Sequence, residues 1–267
     1  MESLALSQLG ALAHPQRLAV FRLLMRRYPG RVAAGEIAEA LDIKASTLSV
    51  YLGALRGAGL ISQERAGTSL TYAAETAAAS DLVGYLFEDC CRGRPEICQP
   101  EKATGVLNVL FICTGNSARS LMAEAILRDL GGGRFVVHSA GTDPRSGASA
   151  LAVATLERQG HSTEVLRPKP LSIYTGTDAP QMDFVFTVCN RAANEECPVW
   201  AGGPVTAHWG EPDPVLVKGS TAERGLAFTQ TYAALHRRIS AFVALPFETL
   251  ERASLQRHID DIARLET

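Results

Sequence analysis

VLFICTGNSARSLMAEAIL, Val109 to Leu127, changes character at one residue. Four bulky apolar residues lead into Cys113, then Thr114, Gly115, Asn116, Ser117, Ala118, Arg119 and Ser120 follow, and an amphipathic run begins. The pattern reads as strand, small polar loop and helix. Small residues let successive backbone N–H groups of such a loop converge on one point. The helix N-terminus and the Arg119 guanidinium add positive charge there, so the loop suits a tetrahedral oxyanion. The same field is expected to lower the Cys113 thiol and make it a thiolate nucleophile at neutral pH. Ser117 and Ser120 are candidate donors to that sulfur, and Asn116 is a candidate brace for the loop through side-chain-to-backbone bonds.

Working outward, apolar strands alternate with helical stretches on the C-terminal side. Strands are expected at Asn108–Ile112, Phe135–Ser139, Phe184–Val188 and Val205–Trp209, with helices from Ala222 onward. Alternation of this kind predicts a four-stranded parallel sheet covered by helices. After the last strand, HWGEPDPV (His208–Val215) places Glu211 and Asp213 at the same sheet edge as Cys113 in a doubly wound order. Either carboxyl is able to protonate an oxygen leaving the bound oxyanion.

Upstream the pattern is helical. His14-Pro15 reads as a helix start with Leu18, Phe21, Leu24 and Met25 on one apolar face. A short helix is expected over AAGEIAEALDI and a second over KASTLSVYLGALRGAGL, with Leu48, Leu52 and Leu55 inward. A hairpin turning near Ala66-Gly67 follows. The organisation is thus a mainly α domain over 1–85, a Pro- and Gly-containing connector over 86–105, and an α/β domain over 106–267.

The 267 residues carry a net charge of −2, so no overall basic field advertises nucleic acid. Residues 1–80 nevertheless hold eight Lys/Arg against six Asp/Glu, and the acidic excess lies in the rest. No apolar run has the length of a membrane span and no signal-peptide pattern opens the chain, so a cytoplasmic protein without a membrane partner is expected. In that compartment the six cysteines stay reduced, which favours metal binding or redox chemistry over structural disulfides. The histidines (His14, His138, His161, His208, His236, His258) read as structural or solvated.

The loop CTGNSARS followed by MAEAIL resembles the active site of the low-molecular-weight tyrosine phosphatase fold, and most of all the arsenate reductases built on it. The resemblance runs from Val106 to about Leu245 and includes SAGT at Ser139–Thr142 and RPKPLS at Arg167–Ser172. It implies Cys113 as nucleophile, Arg119 as oxyanion clamp and Asp213 as acid. Ala118 and Leu121 stand where the phosphatases carry a second Cys and a Pro.

A phosphatase needs no further thiol, yet FTVCNRAANEECPVWAG supplies Cys189 and Cys197. Reduction of arsenate requires a second thiol to attack the sulfur of a Cys113–arsenate adduct, releasing arsenite. Cys189 is expected to make that attack, and Cys197 to carry the disulfide outward to a thioredoxin or glutaredoxin. No bound cofactor is expected, only an external thiol donor.

The stretch from about Leu9 to Ala74 resembles the winged helix-turn-helix of the arsenic-responsive (ArsR-type) repressors. The resemblance implies a homodimer through this domain that binds operator DNA, with Lys44, Ser46, Thr47, Ser49, Val50 and Arg56 outward on the recognition helix. FEDCCRGRPEIC then places Cys90, Cys91 and Cys98 just beyond it. Three thiolates match trigonal arsenic(III) or antimony(III), soft centres that want sulfur. The chain therefore reads as an arsenite-sensing repressor fused to an arsenate reductase. Two alternatives stand beside it: a regulator fused to a phosphatase-like enzyme, and a pure regulator with an oxyanion-binding domain.

Overall fold

The computed structural model describes residues 2–91, 105–176, 178–195, 200, 202–247 and 249–265. The chain divides into two compact units, Met1–Pro100 and Glu101–Thr267.

In the first unit, α1 (Glu2–Leu12), α2 (Pro15–Arg26), α3 (Ala34–Ala40) and α4 (Ala45–Gly57) pack with a three-stranded antiparallel sheet of β1 (Val32–Ala33), β2 (Ile61–Ala66) and β3 (Ser69–Ala74). β2 and β3 form the expected hairpin, with Ala66 opposite Ser69 across a two-residue turn. Pro15 opens α2, where its fixed φ and missing N–H suit the first turn. The buried face of α2 is Val20, Leu23 and Leu24. This corrects the expectation for Leu18 and Met25, which are 40 % and 38 % exposed and lie one stripe round the helix. α4 buries Leu48, Leu52 and Leu55 as its spacing requires. α1 and β1 carried no signal that set them apart. α5 (Thr76–Tyr85) continues as a wider π turn over Leu86–Cys90. The connector expected from residue 86 therefore begins as helix, and Cys90 sits at the end of that turn.

The second unit is a parallel sheet in the order β5-β4-β6-β7: β4 is Leu107–Cys113, β5 Phe135–Gly141, β6 Phe184–Thr187 and β7 Val205–His208. All three pairings are parallel, as the strand–helix alternation predicts. Around it lie α6 (Arg119–Leu130), α7 (Ala150–Arg158), α8 (Asn190–Asn194), α9 (Thr221–Val243) and α10 (Arg252–Ala263). The last five residues of β4 are buried, because helices cover both faces of the sheet. α6 is buried over every residue from Arg119 to Leu127, so the helix behind the oxyanion loop is a core element. Phe186 stacks on Trp209 with ring centroids 4.1 Å apart, and Phe242 meets both edge-on, tying α9 to the sheet. Ser220 starts α9 through a reciprocal capping box with Glu223.

The strand order changes direction at β4, which has β5 on one side and β6 on the other. The carboxyl end of β4 is thus the switch point of the sheet, where loops part and leave a crevice. Cys113 is the last residue of that strand.

Candidate active site

Cys113 is buried at the end of β4, and the loop after it returns backbone to its sulfur. The Asn116 N–H donates to Cys113 Sγ at 3.2 Å, and Ser120 Oγ lies 3.0 Å from the same sulfur. Asn116 Nδ2 donates to Ser120 Oγ at 2.8 Å, which leaves the hydroxyl hydrogen free to point at sulfur and favour the thiolate. Ser117 lines the pocket without a bond to the sulfur among the described residues, so of the two expected serine donors the geometry supplies Ser120.

Asn116 holds the loop from its other side. It adopts φ +42°, a conformation Asn tolerates better than most residues. Its Oδ1 accepts from the Lys169 N–H at 2.7 Å and its Nδ2 donates to Ser139 Oγ at 2.8 Å. Ser139 in turn donates to Glu124, which also takes Lys169 Nζ at 2.9 Å. Gly141 lets β5 close against the loop, since a Cβ there would stand 2.6 Å from the Thr114 carbonyl oxygen. The segment after β5 then fastens to the loop through backbone bonds from Asp143 to Thr114, Arg145 to Gly115 and Ser149 to Ser117. The residues of this brace all lie in stretches the resemblance covers, Glu124 in MAEAIL, Ser139 in SAGT and Lys169 in RPKPLS, but the sequence assigned no role to Glu124.

Arg119 opens α6 beneath the loop. Its Nη1 donates to the Glu211 carbonyl at 2.9 Å and its Nη2 to Asp213 Oδ2 at 2.5 Å. The other Asp213 oxygen accepts from the Val215 N–H at 3.1 Å and shapes the Asp-Pro turn. Glu211 is the rival carboxyl by sequence, but its side chain is buried in an ion pair with Arg238. Only its backbone carbonyl faces Arg119. The geometry therefore brings Asp213, and not the Glu211 carboxylate, to the clamp.

Burial pushes the Cys113 thiol above its ordinary value; the Ser120 hydrogen bond pulls it down, the Cys189 sulfur pushes it up, and Arg119 lowers it. This corrects the expectation of a thiol drawn well down in the resting protein. The physical reason is burial, which outweighs the Ser120 hydrogen bond and the charge of Arg119, itself engaged by the Asp213 carboxylate.

Cys189 lies two residues beyond β6 and caps α8, accepting from the Ala192 N–H at 3.4 Å. Its sulfur is 3.5 Å from Thr114 Oγ1, and both thiols line one pocket together with Arg119, Arg145, Arg191 and Asp213. Cys197 and Cys98 lie outside the described residues. Cys90 is exposed and Cys91 partly so. Among the described residues no cluster of three His, Cys, Asp or Glu is placed to hold a metal ion.

In the first unit Lys44 is the N-cap of α4 and not a residue within it. Lys44, Ser46, Ser49, Val50 and Arg56 are exposed, and Thr47 is half-buried. Arg56 Nη1 donates to Gln63 Oε1 of β2, which ties the end of the helix to the hairpin. Exposed residues gathered at a helix N-terminus suit a helix read in a DNA groove. Among the described residues no helix is long and apolar enough to cross a membrane.

A strand-end cysteine, a loop of converging N–H groups, an arginine clamp and an Asp-Pro turn at a parallel-sheet switch point define the class of cysteine-dependent oxyanion-binding enzymes. The chain belongs to the low molecular weight phosphotyrosine protein phosphatase family, whose model matches residues 108–257. A helix-turn-helix domain, matched over residues 12–64, is fused in front of it. An arsenate reductase of Shouchella clausii is 31 % identical over 134 residues, which is 50 % of this chain and 93 % of that protein. Arsenate reductase 2 of Staphylococcus saprophyticus is 34 % identical over 120 residues, 43 % of this chain and 85 % of its own. The solved arsenate reductase of Archaeoglobus fulgidus overlays 51 % of this chain and 99 % of its own at 23 % identity, with a TM-score of 0.40.

Proposed function

We propose that the C-terminal unit reduces arsenate to arsenite by thiol–disulfide relay, and that the N-terminal unit is an arsenite-responsive transcriptional repressor. The observation that carries the first half is the pairing of two thiols, Cys113 and Cys189, in one oxyanion pocket. Ester hydrolysis uses one. The arsenate reductase relatives support the same reading.

The chemistry follows from the positions. The loop N–H groups and Arg119 hold the arsenate oxygens while the Cys113 thiolate attacks arsenic and a water leaves, its proton supplied by Asp213. The oxyanion takes over the Arg119 contact, and Asp213 is freed to carry that proton. The Cys189 thiolate then attacks Cys113 Sγ. The S–S bond forms as the S–As bond breaks, its electron pair stays on arsenic, and As(V) leaves as As(III). Cys197 displaces Cys113 from the disulfide, and an external dithiol of the thioredoxin or glutaredoxin class restores the thiols. Reduced thiols require a reducing compartment, the cytoplasm.

For the second half, Lys44, Ser46, Thr47, Ser49, Val50 and Arg56 face operator DNA, and Cys90, Cys91 and Cys98 hold arsenic(III). Exposed apolar side chains at Leu4, Leu6, Leu9, Leu18, Met25 and Val83 of α1, α2 and α5 favour a homodimer through this unit.

The test is product analysis. Arsenite formed catalytically with a thioredoxin or glutaredoxin system supports the reductase. Phosphate released from an aryl ester, with no arsenite from arsenate, would replace it with the phosphatase reading. Neither product would leave an oxyanion-binding regulator.

A further inference from the structure

His208 ends β7 and is nearly enclosed. Its Nδ1 lies 2.9 Å from Thr187 Oγ1, the last residue of β6 and its register partner across the sheet. Its Nε2 lies 3.0 Å from Asn190 Oδ1, the first residue of α8 and the neighbour of Cys189. An amide oxygen only accepts, so Nε2 carries the hydrogen and Nδ1 accepts from the Thr187 hydroxyl. One tautomer therefore satisfies both bonds and ties the ends of two strands to the start of the thiol-bearing helix. Gly210 leaves room for this chain: a Cβ there would collide with His208 Nε2 and stand 2.7 Å from Asn190 Oδ1.

Among the described residues the Cys189 sulfur has weak partners, the Thr114 hydroxyl at 3.5 Å and the Ala192 N–H at 3.4 Å. α8 has five residues, too few for a helix to hold itself. The backbone from which the thiol projects is held at the Cys189 carbonyl, which accepts from the Ala193 N–H at 3.2 Å, and by the residues on either side, Val188 and Asn190. The Val188 N–H donates to the Ile112 carbonyl at 2.8 Å, and the Asn190 side chain is held by His208.

We propose that Thr187, His208 and Asn190 form a latch that positions Cys189 for its attack on Cys113 Sγ, with His208 as the positioning residue for the redox step. The inference rests on the relay reading above. His208 acts on Cys189 through Asn190, the next residue in the chain. In the step it serves, the Cys189 thiolate bonds to Cys113 Sγ, the S–As pair stays on arsenic, and As(V) becomes As(III). A nucleophile displaced by about 1 Å loses on the order of a hundredfold in rate.

The experiment is a single turnover of the fully reduced full chain with arsenate and no thiol donor, following arsenite release and formation of a disulfide at Cys189, whether to Cys113 or, after exchange, to Cys197. Aryl phosphate hydrolysis, which needs no second thiol, is measured on the same samples. His208→Leu is expected to slow disulfide formation at least about tenfold while hydrolysis stays within about twofold. Thr187→Val, which removes one bond of the latch at constant shape, is expected to slow it less. His208→Gln, which keeps an N–H for Asn190, is expected to recover part of the rate. Equal losses in both reactions would make His208 merely structural, and unchanged disulfide formation in a folded His208→Leu or Thr187→Val protein would overturn the latch. Cys189→Ser is the control for the underlying reading. Arsenite released at the wild-type rate by that variant would overturn the relay itself, and the latch with it.

Discussion

The oxyanion loop and the recognition helix both present chemistry at a helix N-terminus, yet they are built in opposite ways. α6 is buried over nine successive residues, and the loop in front of it is braced by Asn116, Ser139, Glu124 and Lys169. α4 buries three residues, Leu48, Leu52 and Leu55, and exposes Ala45, Ser46, Ser49 and Val50 in its first two turns. On the proposed function, ligand contacts in the first are made by backbone groups and a few enclosed side chains, so each is hard to replace, and in the second by solvated side chains, so each contributes little and the sum decides. A braced loop should fail at single positions; a solvated reading surface should degrade in small steps.

The sharpest break is Cys113→Ser. A serine hydroxyl is not ionised by this loop, so arsenate reduction should fall at least about a thousandfold while operator affinity is unchanged. Comparable losses of both would mean that the two units do not work separately. Next in size is the arsenite response. If Cys90, Cys91 and Cys98 bind arsenic(III), operator titrations should show arsenite weakening DNA binding about 5–150-fold, the range of a coupling of about 1–3 kcal/mol. That response should persist in Cys113→Ser and disappear in the Cys90/Cys91/Cys98 triple Ser variant. A triple variant that still releases DNA would move the sensor elsewhere.

A smaller effect is expected from pH. Burial holds the Cys113 thiol above its ordinary value, so the reactive thiolate is the minor form at neutral pH and kcat/KM should climb as pH rises toward that raised value. Ser120 supplies the largest pull in the other direction. Ser120→Ala should therefore move the rising limb to higher pH and cost about tenfold at neutral pH, because the thiolate becomes scarcer as the thiol holds its proton more tightly. A limb that does not move would mean that Ser120 shapes the loop without tuning the thiol. The smallest change belongs to the recognition helix. Lys44→Ala should weaken operator binding uniformly across sequences and reduce its salt slope by about one, as the loss of one phosphate contact does. A change in base preference would assign Lys44 to a base edge.

The same contrast explains what the sequence discloses. Cys113 and Arg119 are legible because local order marks them, a strand end and a helix start, whereas local order leaves Asp213 and Glu211 as rivals and only the family resemblance singles out Asp213. The four parallel strands are legible because their apolar runs alternate with helical stretches. The Glu124–Lys169 pair and the Thr187–His208–Asn190 chain are not, because their partners lie far apart in sequence and no local pattern marks a histidine as a link between strands. α1 is mostly apolar and shows little periodicity, and β1 has two residues, so neither offers a period to read. Leu18 and Met25 share the helical spacing of a core face, and only the packing of α2 shows that Val20, Leu23 and Leu24 are the buried ones.

The central claim, that the oxyanion pocket is a two-thiol reductive site, is tested most directly by stoichiometry. Reduced full-length protein is mixed with excess arsenate without any thiol donor, quenched, and analysed for arsenite and for free thiols with peptide mapping. The account predicts one arsenite per chain, the loss of two thiols, and disulfides confined to Cys113, Cys189 and Cys197. Arsenate bound or turned over with every thiol retained and no arsenite formed would contradict it.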